Sequence, residues 1–338
     1  MKLLIKRLVA FYTLTCFLAN ILLAQQVIRQ AGVSAPAGVS ISPVNSGSAS
    51  DPAIKQSMNG TTVVDIATPS ARGVSSNNWN EFNVGQDGII FNNSAAPVLT
   101  QLGGWTDGNR RLAGGEASII LNQVVGANRS SLLGQVEIAG KAAEFILANP
   151  NGITCNGCGF INTPSVSLIT GQSRFSANGD LLFDINGGDV LIDGKGLNAA
   201  NIDRFDIVSR YAQINANLFA NNLSIINGSN QYNYSSKSAT ANAAGSSGGV
   251  LFALNTTALG AMYGNSIRLI GTEKGLGVNL QGIVQSTNDL QITAEGDLQL
   301  RHVLANNQLS VHSVSGNVTT QEIAFGKNAV IQAAGDLV

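Results

Sequence analysis

Short alternating runs of apolar and polar residues recur along the chain, and a helical stripe does not. Gly88-Ile89-Ile90-Phe91, Ser118-Ile119-Ile120-Leu121, Val136-Glu137-Ile138 and Glu144-Phe145-Ile146-Leu147 are each bounded by Gly, Asn, Asp or Pro. Such runs read as short strands between turns. The C-terminal part repeats this unit. Asn288-Asp289-Leu290-Gln291-Ile292 returns as Asn307-Gln308-Leu309-Ser310-Val311 and again as Asn328-Ala329-Val330-Ile331, with Gly296, Gly316 and Gly335 closing the successive units. The spacing is about twenty residues, in the range of solenoids. Gly179-Asp180-Leu181-Leu182-Phe183-Asp184-Ile185 and Gly188-Asp189-Val190-Leu191-Ile192 follow the same grammar. The pattern predicts an all-β solenoid, a parallel β-helix with inward Leu, Ile and Val stacked along the axis. Outward Asn, Ser and Thr are placed to hydrogen-bond between coils. A β-sandwich also has many short strands but has no need of a fixed period.

Two stretches depart from the pattern. Lys2, Lys6 and Arg7 precede an apolar run from Leu8 to Leu23, with Ala24 as a cleavage point, which reads as an export signal over residues 1–24. The alternative is a retained membrane anchor, against which stand Asn20 within the run and the polar segment from Gln25. Cys16 lacks the small residues that precede a lipidated cysteine. Residues Asn227 to Gly249 are low in complexity, with Tyr232 and Tyr234 as the bulky residues, and read as a hairpin or loop leaving the solenoid, the second half reading equally as disordered. The last repeat reaches Val338 with no polar cap, as expected of the front of a longer protein.

Composition narrows the function. Of 338 residues only 12% are charged, the formal net charge is −1, and Gly occurs 38 times. With no basic excess to attract phosphates, nucleic acid is a poor partner. Beyond the leader the cysteines are Cys155 and Cys158. In an exported chain that spacing favours a local structural disulfide. A zinc site would need two more ligands, and His302 and His312 lie far downstream. A redox-active pair would be expected within a thioredoxin-like βαβ unit, which nothing around it resembles.

The most informative run is Asn149-Pro150-Asn151-Gly152-Ile153-Thr154-Cys155-Asn156-Gly157-Cys158-Gly159-Phe160-Ile161-Asn162-Thr163-Pro164. Pro150 presets φ and Asn151-Gly152 tolerates the left-handed region, the chemistry of a tight turn. The run closely resembles the NPNG signature of two-partner secretion exoproteins, the family of filamentous haemagglutinins and contact-dependent inhibition toxins. Ser76-Asn77-Asn78-Trp79-Asn80-Glu81-Phe82-Asn83-Val84 is similar to an early motif of that family. Leu121-Asn122-Gln123-Val124 with Leu132-Leu133-Gly134, Asp203 to Arg210, and Ala258 to Tyr263 with Ile270 to Val278 resemble its later segments in order. The likeness covers roughly residues 33 to 338. Many relatives carry an upstream NPNL. Its counterpart here, Asn109-Arg110-Arg111-Leu112, keeps Asn109 and Leu112 and lacks the proline and inner asparagine, so the motif's role is not carried over to it. The CxxC is a feature of the contact-dependent inhibition and haemolysin-like branch.

The resemblance implies a right-handed parallel β-helix with an N-terminal cap and extra-helical loops or hairpins. It implies a secretion domain over residues 25–280, followed from 281 to 338 by haemagglutinin-type repeats. It implies no enzyme activity and no cofactor. The expected route is the general export machinery, then the periplasmic POTRA domains of a dedicated outer-membrane barrel, with folding outside the cell. Contacts with a host or neighbouring cell would fall to regions outside this chain. Asn149, Pro150, Asn151 and Gly152 would serve as a transporter-recognition element or a folding turn. Trp79 and Phe82 are expected to pack in the N-terminal cap, and Trp105 beside Gly103-Gly104 is likewise expected to pack. The competing reading, a β-helical polysaccharide lyase or hydrolase, would need clustered carboxylates. Its candidates are Asp184, Asp189 and Asp193, or Asp203, Asp206 and Arg204, whose spacing tracks the turns, where Asp is common for backbone reasons.

Overall fold

Three strands per coil, each hydrogen-bonded to the strands of the coils above and below, build the molecule. The computed structural model describes residues 38–44, 46–242 and 250–338. The export leader and residues 243–249 of the low-complexity stretch lie outside those residues. The first face stacks Val74–Asn83, Ile119–Val124, Glu144–Ala148 and Ser165–Ile169 in parallel register and continues to Asn328–Ala333. The second face begins with Thr62–Asp65, Ile89–Asn93, Gln135–Gly140 and Cys158–Ile161. The third begins with Ser130–Leu132, Ile153–Cys155, Asp189–Ile192 and Tyr211–Ile214. This is the expected parallel β-helix.

Alternation within each strand sends one set of side chains to the axis. On the first face that set runs in register through Ile120, Phe145, Val166, Phe205, Leu223, Ile267, Leu290, Leu309 and Ala329. The repeated units at the C-terminal end therefore stack residue on residue, as their period predicts. Near the other end the core is aromatic. Trp79, Phe82, Phe91, Phe145, Phe160 and Phe205 form a continuous chain with successive ring centroids 5.7, 6.1, 5.3, 6.1 and 5.9 Å apart. Two antiparallel pairings close this end: Ser40–Pro43 on Val74–Asn83, with Ile41 opposite Phe82, and Ala53–Gln56 on Thr62–Asp65.

Two antiparallel additions sit outside the solenoid. Gln172–Phe175, Leu181–Ile185, Asn230–Asn233 and Ser238–Ala241 form a four-stranded sheet. Phe183, Tyr232 and Tyr234 from this sheet cover the outward apolar residues of the first face, Ile146, Ile169, Val208 and Ile226, making a second core. The hairpin Val98–Thr100/Gly104–Thr106 covers Val63, Ile90 and Ala139 with Val98 and Leu102.

Three expectations are corrected. Gly179 to Ile185 is not a coil. Alternation is the same in an antiparallel sheet, so Leu181–Ile185 shares the grammar of the repeats while only Asp189–Ile192 lies in the solenoid. Trp105 does not pack. It is paired with Leu99 on the outer side of its hairpin, and both remain about 60% exposed, at 60% and 63%. Asparagines do bond between coils, but several do so while wholly buried: Asn77 and Asn122 donate from within their strands to Leu121 O and Ile146 O of the next coil, whereas Asn93 and Asn149 sit at strand ends, where their amides reach loop carbonyls, Ala117 O and Asn128 O.

Phe145→Ala removes the centre of the aromatic chain. It should cost about 3–5 kcal/mol, read as a drop in the urea midpoint, whereas Phe175→Ala on the exposed outer strand should change stability by less than about 0.5 kcal/mol. Equal effects would contradict the packing described.

Candidate functional site

Asn149 ends the strand Glu144–Ala148 and opens the corner that leads to Ile153–Cys155. Its side-chain Oδ1 accepts from the Asn151 backbone N–H at 2.9 Å, and its backbone carbonyl accepts from Gly152 N–H at 3.1 Å. These two bonds define an Asx-capped turn, which Pro150 favours by presetting φ. The Asn149 Nδ2 donates to Asn128 O at 3.0 Å and Ser130 Oγ at 2.9 Å in the preceding coil. Its backbone N–H donates to Ile169 O, at 2.9 Å, in the following one. One buried residue thus joins three consecutive coils. Asn151 is exposed and reaches back with Nδ2 to Gly126 O at 2.7 Å.

Gly152 has φ of +108°, and a Cβ there would lie 2.5 Å from Arg129 Nη1 and 3.0 Å from Asp189 O. Both conformation and space require glycine. Arg129 lies across this glycine and makes a second staple. Nη1 and Nη2 donate to the Asp189 carboxylate at 2.6 and 2.8 Å, Nε donates to Thr154 Oγ1 at 2.6 Å, and Nη2 also donates to Ile153 O at 2.9 Å. Bidentate Arg–carboxylate geometry is the strong form of such a pair. The sequence reading missed Arg129, and took Asp189 only as a candidate carboxylate.

The degenerate upstream counterpart has the same geometry. Asn109 Oδ1 accepts from Arg111 N–H at 3.0 Å, and Asn109 O accepts from Leu112 N–H at 3.2 Å. Asn109 Nδ2 donates to Ile66 O at 3.0 Å and Asn92 O at 3.2 Å, and Leu112 is buried in the core. Losing the proline and inner asparagine leaves the capped turn intact, because the asparagine side chain and the backbone make it.

Cys155 and Cys158 are joined by a disulfide across the corner between Ile153–Cys155 and Cys158–Ile161, and both are buried. Trp79 and Phe82 are wholly buried beside the antiparallel cap, and Trp79 Nε1 donates to Asn122 Oδ1 at 3.1 Å. The lyase candidates are dispersed. Asp184 pairs with Arg174 on the outer sheet, Asp189 with Arg129 on the solenoid, and Asp206 with Arg204 beneath the outer sheet. His302 Nδ1 lies 2.8 Å from Glu322 on the next coil, an outward ladder pair. Among the described residues no group of three His, Cys, Asp or Glu is placed to hold a metal ion.

The model of the TPS (two-partner secretion) secretion domain matches residues 40–300. The chain belongs to that family. It is 43% identical over 274 residues to the 16S rRNA endonuclease CdiA of Enterobacter cloacae, covering 77% of this chain and 8% of the relative. It is 38% identical over 330 residues to the tRNA nuclease CdiA of Escherichia coli strain NC101, covering 97% of this chain and 10% of the relative. The chain thus spans about a tenth of the length of these curated relatives. Its fold matches the crystal structure of a filamentous hemagglutinin secretion domain with a TM-score of 0.71 and 29% identity, covering 88% of this chain and 98% of that one. The region is therefore the secretion domain of a CdiA- or haemagglutinin-like exoprotein, which engages an outer-membrane transporter and is exported through the outer membrane.

Asn149→Ala deletes buried donors and should cost about 1–3 kcal/mol, seen as a lower denaturation midpoint. Gly152→Ala should be destabilising in the native background and less so with Arg129→Ala, because the added methyl meets the guanidinium. A double-mutant cycle should show coupling of about 0.5–3 kcal/mol. Strict additivity would remove Arg129 from the corner.

Proposed function

We propose that residues 1–24 direct the chain through the general export machinery, that 25–280 present it to the POTRA domains of its outer-membrane barrel, and that 281–338 begin the haemagglutinin-type repeats. The solenoid runs through residue 280 without a break, since the strand Gly277–Ser286 spans it. The second boundary is thus one of role and not of fold. The 38–43% identities to CdiA proteins favour a contact-dependent inhibition toxin as the parent, acting on a neighbouring cell through regions outside this chain. Two relatives named for different nucleases resemble the chain over this region, which supports a delivery role here and a toxic activity elsewhere.

Within the domain, Asn149, Pro150, Asn151 and Gly152 act as a folding turn and not as a docking surface. The observation that carries this is the complete burial of Asn149 with bonds into three coils. A folded turn of this kind offers a partner only Pro150 and Asn151. The Cys155–Cys158 pair closes a very small loop, so the disulfide can form in the periplasm without blocking passage of an extended chain.

The test measures release into the medium with and without the cognate barrel, alongside the stability of each purified chain. Asn149→Ala should lower both release and stability, while Asn151→Ala, losing the bonds of one exposed amide to Gly126 O and Asn149 Oδ1, should change each little. Undiminished release of Asn149→Ala would overturn the role of the turn. Loss of release by Asn151→Ala at native stability would transfer it to direct recognition. Equal release of the native chain without any barrel would overturn the transport reading.

A further inference from the structure

Where the outer sheet covers the first face, a partly buried ionic cluster separates the two layers. Lys237 stands in the turn between Asn230–Asn233 and Ser238–Ala241 with φ of +53°, an unusual value for a side chain with a Cβ. Its Nζ is sealed from solvent and has no hydrogen-bond partner. It lies 3.2 Å from the centre of the Tyr234 ring, 3.9 Å from Glu144 Oε2 and 4.0 Å from Asp206 Oδ2. Asp206 is held by Arg204 Nε, which donates to its two oxygens at 2.8 and 2.9 Å. Glu144 Oε2 accepts from the Tyr234 hydroxyl. An amine denied hydrogen bonds, an acid polarised by a phenol and a second carboxylate within reach are the parts of an amide-forming site.

We infer that Lys237 and Glu144 become joined by an isopeptide bond inside the folded chain, with Asp206 transferring the proton. The reactants begin as ammonium and carboxylate, and moving one proton between them gives the free amine and the neutral acid. Nζ attacks Cδ of Glu144 while the Tyr234 hydroxyl bonds to the carbonyl oxygen, and an Nζ proton passes to Asp206. Asp206 returns that proton to the departing hydroxyl and water leaves. The Nζ–Cδ bond forms, one C–O bond breaks, and no oxidant or reductant takes part. Condensation against bulk water is favoured by placement, since well-oriented intramolecular reactions reach effective molarities of about 10⁵–10⁸ M.

Charge accounting selects Glu144 over Asp206 as the acyl partner. Consuming Asp206 would leave the partly buried Arg204 without its carboxylate, whereas consuming Glu144 keeps that pair and removes one positive and one negative charge together. Glu144 is also the more exposed of the two acids, which leaves a path for the water. Burial lowers the pKa of Lys237, favouring the free amine, although Asp206 and Glu144 oppose this. Burial, with Glu144 adding to it, raises that of Tyr234, so the phenol stays a donor. The bond would weld the outer hairpin to the solenoid, and only after both had folded.

The intact mass of the secreted, folded chain tests this, followed by peptide mapping. The expected mass is lower than that of the disulfide-bonded sequence by one water, with a branched peptide linking Lys237 to Glu144. Glu144→Gln should lose ammonia in place of water, and Lys237→Arg should show neither loss. A folded native chain at full mass would overturn the inference, as would a mass loss that persists in Lys237→Arg. A branch from Lys237 to Asp206 would overturn the choice of Glu144.

Discussion

Register between coils is the constraint on which everything else here depends. A strand in this solenoid has no hydrogen-bonding partner within its own coil, so its backbone is satisfied only when the coils above and below are in place. The corners are the weak points, because turn carbonyls fall outside the strand ladders. Buried carboxamides repair them. Asn93 and Asn149, at strand ends, each carry an amide into loop carbonyls of another segment, Ala117 O and Asn128 O, and Asn77 and Asn122 make a parallel link between neighbouring coils from within their strands. The in-register apolar stacks and the aromatic chain then add burial to a scaffold whose spacing is already set.

This architecture suits a chain exported through the outer membrane. Most contacts are made with the adjoining coils, so each layer can build on the one before it. The low charge content leaves few ion pairs to assemble. The one at the corner, Arg129 with Asp189, clamps the coil of Ile153–Cys155 that lies between their own.

The sequence revealed the fold best where the coils carry no insertions. Between Leu290, Leu309 and Ala329 the ladder advances by about one repeat each time, so the period itself reports the stacking. Insertions hide the same relation elsewhere. Val166 stacks on Phe205 only because Gln172–Ile185 leaves the solenoid between them, and alternation cannot tell a coil strand from an antiparallel one. Arg129 and Asp189 were illegible for that reason: their meeting depends on how many residues the intervening coil spends. The NPNG turn could be read from local chemistry alone, since Pro150 and Gly152 act on their own backbone. Trp105 stays exposed because its hairpin has room for only one packed face, a limit that its neighbours Gly103-Gly104 do not reveal.

Corner asparagines such as Asn149 hold register locally, one layer to the next. Hydrogen exchange along the folded Asn149→Ala chain tests it most directly. Protection should fall in Ile119–Val124, Glu144–Ala148 and Ser165–Ile169, while Leu290–Ala294 and Gln308–Ser313 keep native protection. A uniform loss of protection from one end of the solenoid to the other would contradict the claim.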